Sequence, residues 1–271
     1  MKRHQRNRII GGALLICFVS AALLGRVWTP FDPMRIDLRS KLQAPGAVHW
    51  LGTDEFGRDV LSRLMAAAGT SVSISLTTVA LAVLAGVTLG VLAGYARGWT
   101  DRIIMALNNA MLAFPSMLLA LALLSITGAN IYGIILALGL AYTPSIVRVV
   151  RGSVLSLRER EFIEASRVMG NSPAYTMARH ILPNCLGPVI VLATSMFGSV
   201  LLTESALSFL GLGVPPPAPT WGNMLASARP HIAEAMWLGI FPGLCISLSL
   251  LGINLFGDAI RDRFDPRMRG L

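Results

Sequence analysis

The stretch EFIEASRVMGNSPAYTMARHILPN, Glu161 to Asn184, lies between two long apolar runs. It is charged and suited to helices, and it is interrupted once, at Gly170-Asn171-Ser172-Pro173. Just upstream and into it, Leu155 to Met169 carries charges of alternating sign: Arg158, Glu159, Arg160, Glu161, Glu164 and Arg167. That pattern predicts a helix, supported modestly by pairs such as Arg160–Glu164 and Glu164–Arg167. Gly170 offers a helix stop. Ser172 is a natural N-cap, and Pro173 fits the first position of a second helix. In that helix Ala174, Met177, Ala178, Ile181 and Leu182 fall at i, i+3, i+4, i+7 and i+8, one apolar stripe that Pro183 ends. The reading is a polar hairpin of two short helices, tied at both ends to segments made for a bilayer.

The composition agrees. The chain has 271 residues, 54% of them hydrophobic and 14% charged, with mean hydropathy +0.64. Soluble domains carry roughly 25% charged residues. Too little polar surface is available here to cover a soluble core, so the class is membrane protein. The net charge of +9 then reads as basic residues collected at cytoplasmic loops and anionic lipid, not as a nucleic-acid surface. Cys17, Cys185 and Cys245 are far apart in sequence and give neither a disulfide framework nor a metal spacing.

Six stretches are apolar enough to cross a bilayer, about Ile9–Trp28, Val72–Ala96, Ile103–Ile126, Ile131–Val150, Leu186–Leu210 and Ala235–Phe256. A cleaved signal peptide is the alternative for the first, but its apolar core is long and no clear A-x-A site follows. Inside a bilayer such spans are helices, which satisfy their own backbone groups. The fold class is therefore an all-α polytopic membrane protein of six transmembrane helices. Lys2, Arg3, Arg6, Arg8, Arg97, Arg102, Arg148, Arg151, Arg158, Arg160, Arg167, Arg179, Arg261, Arg263, Arg267 and Arg269 fall on one side of these spans. The basic residues of the other side lie mainly in one long loop, which counts for less. Both termini and the hairpin are thus cytoplasmic. Residues 1–70 form a first span with its outer loop. Residues 71–271 form a core of five spans, with the hairpin at about 152–183 and a proline-rich outer loop at about 211–234.

Gly86, Gly90 and Gly94 make a small-xxx-small stripe suited to close helix contact. Pro115 and Pro144 are expected to kink the third and fourth spans. The end of the first outer loop reads as a short amphipathic helix through Val60, Leu61, Leu64 and Met65, and Trp221 suits an interfacial position. Glu204 is an acidic residue inside an apolar span, a functional candidate by default. It lines the mouth of a pathway, bonds to the proline-rich loop, or makes a structural hydrogen bond to a neighbouring helix. Asp258, beside Asn254, reads as a cap or as a partner for Arg261.

On physics alone the hairpin has three readings: a DNA-binding helix-turn-helix, an interfacial hairpin on lipid, or a docking knob for a cytoplasmic protein. EASRVMG followed nine residues later by HILP resembles the EAA loop of permease subunits of bacterial ATP-binding cassette importers. Glu164, Ala165, Gly170, Leu182 and Pro183 match that pattern, while Ser166 and His180 depart from it. HWLGTDEFGRDVLSRL, ESALSFLGLGVPPPAPTWGNML and GDAIRDRFDPRMRG resemble further signatures of the C-type subunit of dipeptide, oligopeptide and nickel permeases. The resemblance implies a type I importer permease fold in the bacterial inner membrane. It implies that Glu161, Glu164, Ala165, Ser166, Gly170, Ser172, Pro173, His180, Leu182 and Pro183 form the part that couples to an ATPase. The implied partners are a homologous second permease subunit, two cytoplasmic ATPase subunits and an extracytoplasmic solute-binding protein. No cofactor is expected on this chain, because no GxxxxGK[ST] loop occurs in it; ATP and Mg belong to the ATPases. The expected function is half of an alternating-access pathway for di- or oligopeptides. Import of nickel or a metal chelate is the alternative within the family. A self-sufficient secondary transporter or channel is the alternative outside it, and would show a network of intramembrane charges.

Overall fold

The computed structural model describes residues 2–264, with side chains from residue 8 to residue 260. The sequence readings of Arg267, Arg269 and the end of the C-terminal signature lie outside the described residues. The described chain is helical: α1 (Lys2–Val27), α2 (Val60–Ala96), α3 (Gly98–Leu112), α4 (Ser116–Thr127), α5 (Ile131–Leu157), α6 (Glu161–Val168), α7 (Pro173–Thr176), α8 (Leu182–Phe209), α9 (Trp221–Ala228) and α10 (Trp237–Phe264). Short 3₁₀ turns cover Leu38–Ser40 and Arg229–His231, and a π turn, Met177–Ile181, joins α7 to α8. Among the described residues five helices are long and apolar enough to cross a membrane, and the bent pair α3–α4 passes the same test taken together, which makes six if it is one span.

The centre of the molecule is the pair α2–α5. A β-carbon added to Gly86, Gly90 or Gly94 would lie 2.6, 2.7 and 2.7 Å from the β-carbons of Ile146, Val150 and Val154. The equal steps of four on both helices show that they run parallel, as two spans separated by one return crossing must. Lipid supplies no hydrophobic drive between helices, so van der Waals contact at this distance is what holds them. Around this seam Ile74, Ala82, Ile134, Leu138, Val150 and Leu207 form a continuous buried core. The helix α1 packs on α2 and α10 at its flank.

Three elements differ from the sequence reading, each for a local reason. First, the amphipathic turn expected at Val60 and the second span are one helix of 37 residues, capped by Asp59, whose carboxylate accepts from Ser62 N. At 1.5 Å per residue it is about 55 Å long, well beyond a bilayer core of about 30 Å. Second, the third span is broken, not kinked: α3 and α4 meet at 96°. Pro115 has no N–H and disfavours helical backbone at Phe114, so the helix ends at Leu112 and restarts after Pro115. Pro144, by contrast, lies inside a continuous α5. Third, the proline-rich loop contains the helix α9, and Trp221 at its start is 1% exposed. Its indole N–H donates to Leu64 O at 3.2 Å, and its ring meets Phe18 edge-on. The burial places Trp221 in the packing between α1, α2 and α9, not at a lipid interface.

The long loop before α2 is compact and charged. Asp54 accepts from Arg58 Nε at 2.7 Å and from the backbone N–H groups of Phe56 and Arg58, and Arg63 Nε lies 3.3 Å from it. His49 Nδ1 meets Asp59 at 2.9 Å, and the Trp237 indole donates to Thr53 O at 3.2 Å. This buried cluster fastens the loop to the start of α2 and to α10.

The seam generates a direct expectation. Gly90→Ala places a methyl group against Val150 and forces α2 from α5, so the yield of detergent-stable protein and its melting temperature fall. Gly152→Ala, on α5 with open space around it, leaves both unchanged. Size-exclusion and thermal-melting measurements on the two purified variants check this.

Candidate functional site

The hairpin at the basic end is built on the core seam. α5 ends at Leu157, and Arg158 turns back so that its guanidinium donates to Tyr95 O at 3.1 Å, near the carboxyl end of α2. The helix expected from Leu155 to Met169 is therefore interrupted at residues 158–160 and resumes as α6. Arg160 is extended there, as the residue before α6. A bidentate pair, Arg151 to Asp101 at 2.6 and 2.7 Å, braces α5 against α3 just above.

Two isoleucines anchor the hairpin. Ile163 and Ile181 are fully buried and belong to the same core as Val150 and Val154. Between them Ser166, 4% exposed, forms the polar hub: its hydroxyl lies 3.1 Å from Thr176 Oγ1 and accepts from Asn171 Nδ2 at 3.2 Å. Serine in place of a second alanine thus has a specific use here. Gly170 closes α6 with φ +77°, and Asn171 N–H donates back to Ser166 O at 3.2 Å. Ser172 caps α7 by accepting from Tyr175 N–H at 3.2 Å, with Pro173 at the first position.

The second half departs from the expected stripe. The π turn inserts an extra residue per turn at Met177–Ile181, which rotates the following residues out of phase. Thr176 and Ile181 are buried, Met177 and Leu182 half-buried, and Ala174 and Ala178 exposed. Pro183 does not end the helix; it sits in the first turn of α8, where its missing N–H costs nothing. The pairs Arg160–Glu164 and Glu164–Arg167 are absent from the salt bridges of the described residues; Arg97–Glu159, at 3.8 Å and exposed, is present.

What remains free is a rim of exposed groups around the anchored core. Val168 and Met169 are 83% and 80% exposed, Phe162 and Tyr175 42% and 49%. Glu161, Glu164 and Ala165 are exposed on the same short helix. His180 sits between the rings of Phe162 and Tyr175, at 6.4 and 5.8 Å. The aromatic members of this rim escaped the sequence reading, although Phe162 and Tyr175 flank the matched motif.

Glu204 is elsewhere, on α8 toward the opposite face. It is fully buried; Ser208 Oγ donates to its Oε1 at 2.8 Å, and Oε2 has no partner among the described residues. Ser208 Oγ in turn accepts from Thr220 Oγ1 at 3.5 Å, which links the carboxyl to the cap of α9. Neither surface offers a constellation for covalent or acid–base chemistry. Among the described residues no group of three His, Cys, Asp or Glu side chains is placed to hold a metal ion.

Residues 86–270 match the family described as binding-protein-dependent transport system inner membrane component. The dipeptide transport system permease protein DppC of Alkalihalophilus pseudofirmus is 40% identical over 270 residues, covering 99% of this chain and 89% of that protein. The glutathione transport system permease protein GsiD of Pectobacterium atrosepticum is 36% identical over 267 residues, covering 98% and 89%. A chain of the MetNI methionine ABC transporter, in an inward-facing conformation, superposes with TM-score 0.60 at 19% identity, over 72% of this chain and 93% of that one.

The Ser166 hub is testable on its own. Ser166→Ala nearly keeps the volume but leaves Asn171 and Thr176 without their partner, a loss of about 1–2 kcal/mol. Amide exchange across residues 161–176 should accelerate roughly tenfold, while exchange in α2 stays unchanged.

Proposed function

This chain belongs to the binding-protein-dependent transport system inner membrane components, and from that premise we propose that it forms half of a peptide pathway whose power arrives through the hairpin. It is a multi-pass inner-membrane permease subunit, and the secondary-transporter alternative yields to the family. The finer reading concerns partners and substrate. A homologous second permease subunit completes the pathway, two ATPase subunits dock on the cytoplasmic face, and a solute-binding protein delivers substrate to the outer loops. ATP and Mg are held by the ATPases.

The observation that carries this reading is the hairpin itself: Ile163 and Ile181 lock it into the core, while Glu164, Val168 and Met169 are left free. A knob anchored so firmly passes a push from a partner groove into α5 and α8 without yielding. Glu161, Ala165, Ser172, Pro173 and His180 shape or flank the contact face; Ser166, Gly170, Leu182 and Pro183 set its geometry. Glu204 acts on the pathway indirectly, through Ser208 and Thr220, tying α8 to the outer helix α9. The substrate is a short peptide. Relatives named for dipeptides and for glutathione support that class.

Two substitutions test the docking. Glu164→Trp blocks the groove contact sterically, and Gly170→Val strains a left-handed turn that only glycine adopts freely. Both variants should insert and remain monodisperse, lose co-purification with the ATPase, and abolish uptake of a radiolabelled dipeptide. ATPase activity stimulated by loaded binding protein at the unmodified level in either variant would overturn the assignment.

A further inference from the structure

α3 leaves a gap beside the central seam. Between α2, α3 and α5 lies a pocket of about 160 Å³, walled by Leu89, Leu107, Met111, Pro144 and Val147, with Asn108 in its lining. Asn108 is 4% exposed, and its Nδ2 has no hydrogen-bond partner. Thr143, the other polar group in the wall, is satisfied by Gly139 O at 2.7 Å. A buried amide donor left unpaired in an apolar pocket costs about 1–3 kcal/mol, which an acceptor carried by a ligand would recover.

The surroundings specify the rest of that ligand. Leu107 and Leu89, at the pocket, are 64% and 39% exposed, so its mouth opens on the apolar outer surface of the helices. Arg148 follows Val147 on α5, is exposed, and reaches Asn109 Oδ1 at only 3.4 Å. It stands 17 residues into α5, about 26 Å down the helix, near the cytoplasmic edge of a bilayer core of about 30 Å. Arg102, stacked over Trp99 at 5.6 Å, adds a second cation at the start of α3. One acceptor inside, an apolar body and an anion beside Arg148 are the parts of one molecule.

We propose that this pocket binds an anionic phospholipid of the inner leaflet. An acyl chain lies on Leu89, Leu107 and Met111, an ester carbonyl accepts from Asn108 Nδ2, and the phosphate faces Arg148. The proposal needs only that the chain spans a membrane. A peptide on its way through the pathway is the competing occupant, but it would bring backbone donors and charges that these walls leave unmatched.

The test is native mass spectrometry of the chain purified with its co-purifying subunits, stripped of lipid and titrated with dioleoyl-phosphatidylglycerol or dioleoyl-phosphatidylcholine. The unmodified chain should retain one phosphatidylglycerol that Leu107→Trp, which fills the pocket, does not. Asn108→Leu, of nearly equal size, should bind it roughly tenfold more weakly, and Arg148→Gln should lose the preference for phosphatidylglycerol over phosphatidylcholine. Equal retention by the unmodified chain, Leu107→Trp and Asn108→Leu would overturn the proposal. So would displacement of the lipid by a dipeptide, which would make the pocket part of the substrate pathway.

Discussion

Three absent side chains govern this molecule. Because Gly86, Gly90 and Gly94 have no β-carbons, α2 comes within contact of the backbone of α5 along three successive turns. Both functional faces hang on this seam. At its outer end α2 begins in the Asp59 cap, next to the Asp54–Arg58–Arg63 cluster and the indole of Trp221. At its inner end the last carbonyls of α2 receive Arg158, the residue from which the hairpin departs. The pair is a bar running from one face to the other. A force applied to the hairpin meets a stiff element, since packed helices shift as bodies more readily than they compress.

The spans, the glycine stripe and the hairpin's turn were legible because each rests on a local rule. Apolar length marks a span, small residues at fourfold spacing mark a close contact, and Gly170-Asn171-Ser172-Pro173 carries a stop and a restart in consecutive positions. The broken span was half legible: Pro115 announced a disturbance, but a kink and a 96° break share one sequence signal. The π turn was not legible, because a helical wheel assumes a constant 3.6 residues per turn. Ala174 and Ala178 therefore sit on the open side although the wheel placed them with Ile181.

The outer loop shows the opposite case, where charge hid a core. Asp54, Asp59 and Arg63 are charged residues at the end of a long loop and the start of α2, yet each is at least nine-tenths buried. They can be buried because each is partnered: Asp54 by Arg58, Arg63 and local N–H groups, Asp59 by His49 and Ser62. Only pairwise distances reveal such a cluster. Gly52 and Gly57, with φ +78° and +73°, leave no room for a β-carbon beside Gln43 O and Asp37 O, so the backbone folds tightly here.

The π turn at Met177–Ile181 also gives meaning to the spacing between Gly170 and Leu182-Pro183. Each residue advances a helix by about 100°, so the number of residues between turn and span sets the rotational phase of the knob about the axis of α8. A one-residue deletion within 177–181 would change that phase by about a quarter turn, and so pull against the buried Ile163 and Ile181 that hold the hairpin to the core. The length of this interval is thus a constraint separate from the side chains that fill it: it sets where the knob points.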